Sequence, residues 1–157
     1  MFEDLNRRVI EINRAREMDG LLKVAKSQVR LLGQMSLMSQ KEVSATLSLT
    51  QTGAVDALLT MDHLIQKEFK NLLLEHGLVY DEDSYLIWIP PGANFRGLFR
   101  FENIEVDVID PESALVSKAV KAPQKNKQLI REAIASGQFA TLVDRILKNG
   151  GRIESFL

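Results

Sequence analysis

Three acidic residues lie within apolar stretches of the sequence, where an unpaired carboxylate is costly to bury. Asp56 interrupts the run 54–59, and Glu105 and Asp107 alternate with the apolar residues of 104–109. Because alternate residues of a strand share a face, Glu105 and Asp107 are predicted to point the same way. Carboxylates in these positions can bind a divalent cation. Asp56 can instead cap a turn or pair with an arginine, and the other two can belong to a solvated strand face.

Basic residues form a second group, which could bind phosphate. Arg96 and Arg100 are predicted to share a strand face. Lys118 and Lys121 lie one turn apart on a predicted helix, and Lys125 follows it. Guanidinium and ammonium groups bind phosphate oxygens in many proteins. The alternative is a solvated basic face.

The composition excludes several kinds of chemistry. The chain has 157 residues, a formal net charge of −1 and no cysteine. A charge near zero argues against broad nucleic-acid binding, which needs an excess of lysine and arginine. Without cysteine there is no disulfide, thiol nucleophile or thiolate metal ligand. His63 and His76 have no partner at metal-ligand spacing, and the serines between 36 and 48 fit no nucleophile-elbow pattern.

The sequence predicts neither a signal peptide nor a membrane span. Residues 1–20 carry charges throughout and lack a central apolar stretch. No stretch approaches the roughly 18 apolar residues that a membrane span requires. We therefore expect a cytoplasmic protein without a membrane partner.

Hydrophobic spacing predicts helices at both ends of the chain and one near its middle. The middle helix begins at Asp62, a good N-cap, and closes at His76 and Gly77. Asp110 and Pro111 start another helix in the expected order of N-cap and first helical residue. The other predicted helices cover residues 3–18, 21–27, 124–135 and 138–148, with a short one around Met35 and Met38.

The predicted strands are short and separated by turn signals. They cover residues 29–32, 45–49, 85–89, 95–101 and 104–109. A turn signal at Gln51-Thr52-Gly53 precedes the apolar run that contains Asp56. The regular strand–helix alternation of a doubly wound fold is missing from this order of elements.

These elements together predict one α+β domain over 1–157, with a small mixed or antiparallel sheet flanked by helices. It would comprise an N-terminal helix at 1–20, a sheet-containing core at 29–110 and C-terminal helices at 111–150.

Four segments carry a pattern that resembles the nucleotidyltransferase superfamily, especially its small bacterial members related to abortive-infection toxins and antitoxins. They are Leu-Leu-Gly-Gln-Met-Ser at 31–36, Thr-Gly-Ala-Val-Asp-Ala-Leu-Leu at 52–59, Ile-Glu-Val-Asp-Val at 104–108 and Pro-Glu-Ser-Ala-Leu-Val-Ser-Lys-Ala at 111–119. They are similar, in this order, to the family's glycine turn, its Thr-x-Asp-hydrophobic-Asp segment, its later acidic strand and its Pro-Glu-x-Leu-x-x-x-Lys helix. The resemblance covers roughly residues 29–135.

The resemblance implies a nucleotidyltransferase-like fold and a site for a nucleoside triphosphate with Mg²⁺. Carboxylates in such a site hold metal ions that clamp the attacking and leaving oxygens, and a glycine turn lets backbone N–H groups approach the phosphates. Asp56 and Asp107 would be catalytic, and Asp56, Glu105 and Asp107 would be the metal ligands. The residues that would bind the nucleotide are Gly33, Ser36, Arg96, Arg100 and Lys118.

The chain departs from the family pattern at three places. Ala54 stands where the family has its first acid, and Gln34 where the turn has its second glycine or serine. Lys125-Asn126 replaces the family's frequent Lys-Asp or Arg-Asp pair. Because losing a bridging carboxylate weakens Mg²⁺-dependent chemistry, we expect transfer activity to be weak or lost. The pattern leaves open which of Glu105 and Asp107 faces Asp56.

The alternative function is a non-catalytic regulatory protein, either an antitoxin-like partner or a homodimer. The missing carboxylate at Ala54 favours it, as does the amphipathic helix at 2–16, which lies outside the family core. That helix could pack on its own sheet or against a second subunit. Binding of DNA or RNA through the basic residues of 118–131 is the least supported, because Glu132 and the other acids reduce the positive field.

Overall fold

The strands form a four-stranded mixed sheet and a separate two-stranded pair, in a computed structural model that describes residues 1–50 and 52–157. The strands are β1 (Ser27–Leu31), β2 (Ala54–Val55), β3 (Ala57–Thr60), β4 (Val79–Tyr80), β5 (Phe95–Arg100) and β6 (Ile104–Ile109). The sheet order is β3-β1-β6-β5, with β1 parallel to β6 and the other two pairings antiparallel. Strands β2 and β4 pair in parallel. The predicted α+β domain with a mixed sheet and helical termini is confirmed.

Helices cover both faces of the four-stranded sheet. They are α1 (Phe2–Met18), α2 (Gly33–Met38), α3 (Lys41–Ser44), α4 (His63–Glu75), α5 (Pro111–Lys121), α6 (Lys127–Ser136) and α7 (Leu142–Lys148). Short 3-10 helices cover Ser84–Leu86 and Glu154–Phe156. The two predicted N-caps are confirmed: the Asp62 carboxylate accepts from the Leu64 N–H at 2.9 Å, and that of Asp110 from the Ser113 N–H at 2.9 Å.

Two hydrophobic cores lie on opposite faces of the sheet. Buried residues of α1 and α4, such as Leu5 and Phe69, pack against Val106 on one face. The other core joins α5, α6 and α7 to the ends of β1 and β6, where Leu32 and Ile109 are buried. Strand β6 alternates as predicted, so the acids between its buried residues lie on the face of the sheet opposite the first core.

Three predicted elements are wrong, and in two of them a side-chain hydrogen bond holds the backbone in another conformation. The predicted helix 21–27 is an extended segment, in which the Asn13 side chain accepts from the Val24 N–H at 2.9 Å. The predicted strand 45–49 has no strand pairing and starts with turns that follow α3. The predicted strand 85–89 begins inside a 3-10 helix, because the Ser84 hydroxyl donates to the Asp81 carbonyl at 2.7 Å.

The prediction that Arg96 and Arg100 share a strand face is also wrong. A bulge shifts the pairing of β5 and β6 between Gly97 and Phe99. Arg96 therefore pairs with Val108, and Arg100 pairs with Glu105. Since Val108 and Glu105 lie on opposite faces of β6, the two arginines do so on β5.

Candidate functional site

Two aspartates meet at the ends of the short parallel strands. Because β2 and β4 pair in parallel, with Val55 opposite Tyr80, the residues that follow them are neighbours. These residues are Asp56 and Asp81, and the Asp81 N–H donates to the Val55 carbonyl at 3.0 Å. The Tyr80 hydroxyl donates to the Ala57 carbonyl at 2.9 Å and ties β4 to β3. The two carboxyl groups consequently lie within reach of a hydrogen bond when one of them is protonated.

The surroundings shift the pKa values of the two aspartates in opposite directions. Burial, together with the hydrogen bond and negative charge of Asp81, raises the pKa of Asp56 to about 6, although Lys118 and Lys125 counteract the rise. The pKa of Asp81 is lowered, because its carboxylate accepts from Asp56 and from the Asp83 N–H, the latter at 2.9 Å. At mildly acidic pH, Asp56 is therefore the protonated member of the pair, and its O–H can donate a hydrogen bond to the Asp81 carboxylate.

Gly33 packs directly against this pair. It begins α2 with a φ of +56°, and a Cβ atom placed there would lie 2.5 Å from Asp56 Oδ2. The Leu32 N–H donates to the Asp56 carbonyl at 2.9 Å and fixes the two segments side by side. Glycine is required here for both backbone conformation and space. The turn of the family-like segment 31–36 thus lies beside Asp56.

The Asp56 carboxyl lines a cavity of about 440 Å³ bounded by Gly33, α5 and the segment 86–89. Lys118 and Lys125 line the same cavity, and both lie close enough to Asp56 to affect its pKa. Burial lowers the pKa of Lys118, as does the positive charge of Lys125, and Asp56 opposes both. The lining therefore contains one acid, Asp56, and three lysines, Lys118, Lys121 and Lys125, and Asp81 adjoins Asp56 outside it. Its size lies within the roughly 300–1,000 Å³ of small-molecule sites.

Trp88 forms part of the cavity wall next to α5. The Ser117 hydroxyl donates to the Trp88 carbonyl at 2.6 Å. The Lys121 ammonium lies 5.2 Å from the centroid of the indole ring, in cation–π contact. Two residues one turn apart on α5 thus hold the tryptophan in place.

The structure does not bring Glu105 or Asp107 to Asp56. Asp107 pairs with Arg30 of β1 in the sheet register. Asp56 lies opposite Leu32, two residues farther along the chain and on the other side of β1. Each acid is engaged in an ion pair at the second face of the sheet. Asp107 Oδ1 lies 2.6 Å from the Arg100 guanidinium, and Glu105 Oε1 lies 3.1 Å from the Lys26 ammonium.

Two more of the residues assigned to nucleotide binding have structural contacts of their own. The buried Ser36 hydroxyl donates to the Gly33 carbonyl at 2.6 Å within the first turn of α2. The Arg96 guanidinium donates to Gln40 at 3.1 Å and to Glu42 at 3.0 Å. Neither side chain lines the cavity, so the structure groups only Gly33, Asp56 and Lys118 from the sequence-derived set.

Sequence reasoning missed Asp81 and the role of Trp88. Asp81 opens the acidic stretch Asp-Glu-Asp at 81–83, which is typical of a solvated loop. Nothing local indicates its pairing with Asp56, because that contact depends on the alignment of β2 with β4. Pro90 and Pro91 after Trp88 marked the end of a strand rather than the wall of a cavity.

The acid pair fits one Mg²⁺ ion shared with phosphates. Within residues 1–50 and 52–157, no three His, Cys, Asp or Glu side chains cluster so that they could hold a metal by themselves. Mg²⁺ in phosphate-binding sites is commonly held by one or two carboxylates, with phosphate and water oxygens completing the octahedron. Asp56 and Asp81 would supply two such carboxylates.

Comparison with protein-family models, curated proteins and solved structures finds no match to this chain. Among the described residues, no helix combines the length and the apolar character needed to cross a membrane.

Proposed function

We propose that this protein is a nucleotidyltransferase-like domain that binds a nucleoside triphosphate together with Mg²⁺ in the cavity beside Asp56. The observation that carries the proposal is the proximity of Asp81 to Asp56, which lines a cavity together with Lys118 and Lys125. Asp56 and Asp81 would face the metal ion, and the lysines would face the phosphate oxygens.

The charges of the site match those of such a ligand. A triphosphate offers several negative oxygens, which attract Lys118 and Lys125. A divalent cation offsets the repulsion between the two carboxylates, which otherwise raises the pKa of Asp56. A complex of Mg²⁺ with a triphosphate would therefore compensate the charges of both the acids and the lysines.

The same donor set argues for weak or absent transfer chemistry. Phosphoryl transfer by the two-metal route needs carboxylates that hold both ions, one at the attacking and one at the leaving oxygen. The structure supplies one pair of acids, and Asp107 is engaged by Arg100 elsewhere on the sheet. Binding with little turnover is the activity that this arrangement supports best.

The first test is the thermal stability of the protein with Mg²⁺ or Mn²⁺, with and without each of the four nucleoside triphosphates. Ligand at 100 times its Kd adds about 2.7 kcal/mol to the free energy of unfolding. For a chain of this size, that corresponds to a rise in Tm of about 5–10 °C. We expect this rise only when metal and nucleotide are both present.

Two matched variants separate the cavity from the family-derived ligand set. Asp56→Asn is expected to abolish the metal-dependent rise in Tm, whereas Asp107→Asn is expected to retain it. Both substitutions remove one charge and keep the size of the side chain. Loss of the rise in Asp107→Asn alone would place the site on β6, and a flat response of the unmodified protein would refute nucleotide binding.

A second proposal, self-association, is favoured by an apolar surface at the end of α1. Met18, Leu21 and Leu22 are 88%, 52% and 85% exposed, and they follow one another closely along the chain. Grouped apolar side chains on a surface are typical of protein interfaces. We propose that two copies of the chain bury these residues against each other.

We expect sedimentation velocity to show a dimer at micromolar concentration and Leu22→Lys to convert it to a monomer. Leu147→Lys is the control, because Leu147 is a partly exposed leucine on α7, at 48%. A monomer at every concentration of the unmodified protein would exclude the dimer, as would an unchanged dimer in Leu22→Lys.

A further inference from the structure

The cavity has an apolar side that metal and phosphate binding would leave unused. The consecutive residues 86–89 line it, and Leu32 and Ile109 contribute from the ends of β1 and β6. Trp88 is the largest of these side chains, and it is only partly buried. A bare polyphosphate would contact the charged groups and leave this apolar surface in water. The lining of the cavity therefore suits a ligand with a charged part and an apolar part.

Helix α5 fixes the distance between the two parts. Lys118 interacts with Asp56, and its neighbours Ser117 and Lys121 hold Trp88. Residues within one turn of a helix lie about 5 Å apart along its axis. The residues of α5 that contact Trp88 and the lysine that would bind phosphate therefore lie within one turn of each other. A sugar can bridge that spacing between a phosphate chain and a base.

The indole ring is also held in place before any ligand arrives. The Ser117 hydroxyl fixes its backbone at 2.6 Å, and the Lys121 ammonium contacts the ring at 5.2 Å from its centroid. A ring that is already fixed loses little conformational entropy when a planar partner stacks on it. Stacking of a nucleobase on an aromatic side chain contributes substantially to affinity in nucleic-acid-binding proteins.

We propose that the base of the bound nucleotide stacks on the Trp88 indole, while its phosphates lie at Lys118 and Lys125. This inference rests on the proposed function, because it names a second part of the same ligand. Every nucleobase has a π face, so stacking alone discriminates little between bases. The four nucleoside triphosphates are therefore expected to bind with similar affinity.

The experiment compares Mg²⁺–ATP with Mg²⁺–tripolyphosphate, which has the phosphates and lacks the base and sugar. Trp88 is the only tryptophan of the chain, so its intrinsic fluorescence reports on this wall alone. We expect ATP to quench the fluorescence and to bind about tenfold more tightly than tripolyphosphate. Tripolyphosphate is expected to bind with little quenching. Calorimetry supplies both affinities independently of fluorescence.

Trp88→Leu and Trp88→Phe complete the test. Leucine keeps the apolar character and removes the ring, so the difference in affinity between ATP and tripolyphosphate is expected to fall to about twofold or less. Phenylalanine is expected to retain most of the difference. Tripolyphosphate should bind all three proteins alike.

The outcomes separate this inference from the proposal on which it rests. Equal binding of ATP and tripolyphosphate by the unmodified protein would overturn base stacking and leave the phosphate and metal site standing. An unchanged difference in Trp88→Leu would also overturn it. If neither ligand binds, the proposed function fails and the inference fails with it. Should Trp88→Leu not fold, the quenching and the two affinities of the unmodified protein decide the question.

Discussion

Gly33→Ala is expected to lower the free energy of unfolding by about 3 kcal/mol and to abolish nucleotide binding. An alanine at φ +56° is strained by about 1–2 kcal/mol. Its Cβ would also lie 2.5 Å from Asp56 Oδ2, so the carboxyl must move away. Overpacking of this kind typically costs about 1–3 kcal/mol. Urea unfolding at neutral pH measures the sum.

Gly77→Ala is the matched control for this substitution. Gly77 follows α4 with a φ of +74°, and a Cβ atom there would meet nothing within 4 Å. Its replacement therefore carries the backbone strain without the clash, and we expect a loss of about 1 kcal/mol with nucleotide binding intact. Equal losses in the two variants would mean that the contact between Gly33 and Asp56 has no energetic consequence.

Asp56→Asn is expected to have opposite effects on stability and on binding. The asparagine has the same shape, can donate an N–H to the Asp81 carboxylate and carries no charge to be buried. A pKa raised from 3.8 to about 6 corresponds to about 3 kcal/mol for a fully buried group. Because Asp56 is only partly buried and solvent screens its charge, we expect the variant to be about 1 kcal/mol more stable at pH 8. Mg²⁺-dependent nucleotide binding should fall by at least about a hundredfold, since a carboxylate ligand is lost.

The stability gain of Asp56→Asn is expected to depend on pH. Asp56 binds its proton more tightly in the folded than in the unfolded protein, so the stability of the unmodified protein falls as the pH rises from about 4 to about 6. The variant lacks this titration. The difference in unfolding free energy should therefore be small near pH 4, grow through pH 6 and remain constant above it. Urea unfolding in a pH series measures it.

Asp81→Asn and Asp83→Asn test which carboxylate causes the loss of stability at high pH. Asp81→Asn also relieves the repulsion between the carboxylates, but burial, the largest cause of the raised pKa, belongs to Asp56. Its gain should be smaller than that of Asp56→Asn. Asp83 is exposed, and its replacement should change stability little. A loss of stability in Asp56→Asn at pH 8, or a gain independent of pH, would contradict the buried acid pair.

A substitution that raises stability and lowers ligand binding, as expected for Asp56→Asn, is typical of a functional residue. Burial of a charged carboxylate raises its pKa and lowers the free energy of unfolding. A ligand that compensates the charge restores that part of the stability. The same reasoning applies to Lys118, whose pKa is lowered by burial. Both groups line the cavity, whereas Glu105 and Asp107 form ion pairs away from it.

The sequence by itself determined the elements that obey local rules. The caps at Asp62 and Asp110 are followed by helices because their carboxylates accept N–H groups only two or three residues away. The alternation in β6 separates buried from half-buried residues because a strand has a period of two. These features, with the absence of doubly wound alternation, were enough to predict an α+β domain.

Only the tertiary structure decided the composition of the candidate site. Asp56 and Asp81 are 25 positions apart in sequence, and they meet because β2 and β4 align in parallel. The bulge in β5 separates Arg96 from Arg100, although their spacing alone predicted a shared face. Register and bulges depend on the pairing of strands that are distant in sequence, so no local pattern carries them. Gly33 illustrates both cases. The sequence predicts its turn, but only the structure shows that the Asp56 carboxyl leaves no room for a side chain there.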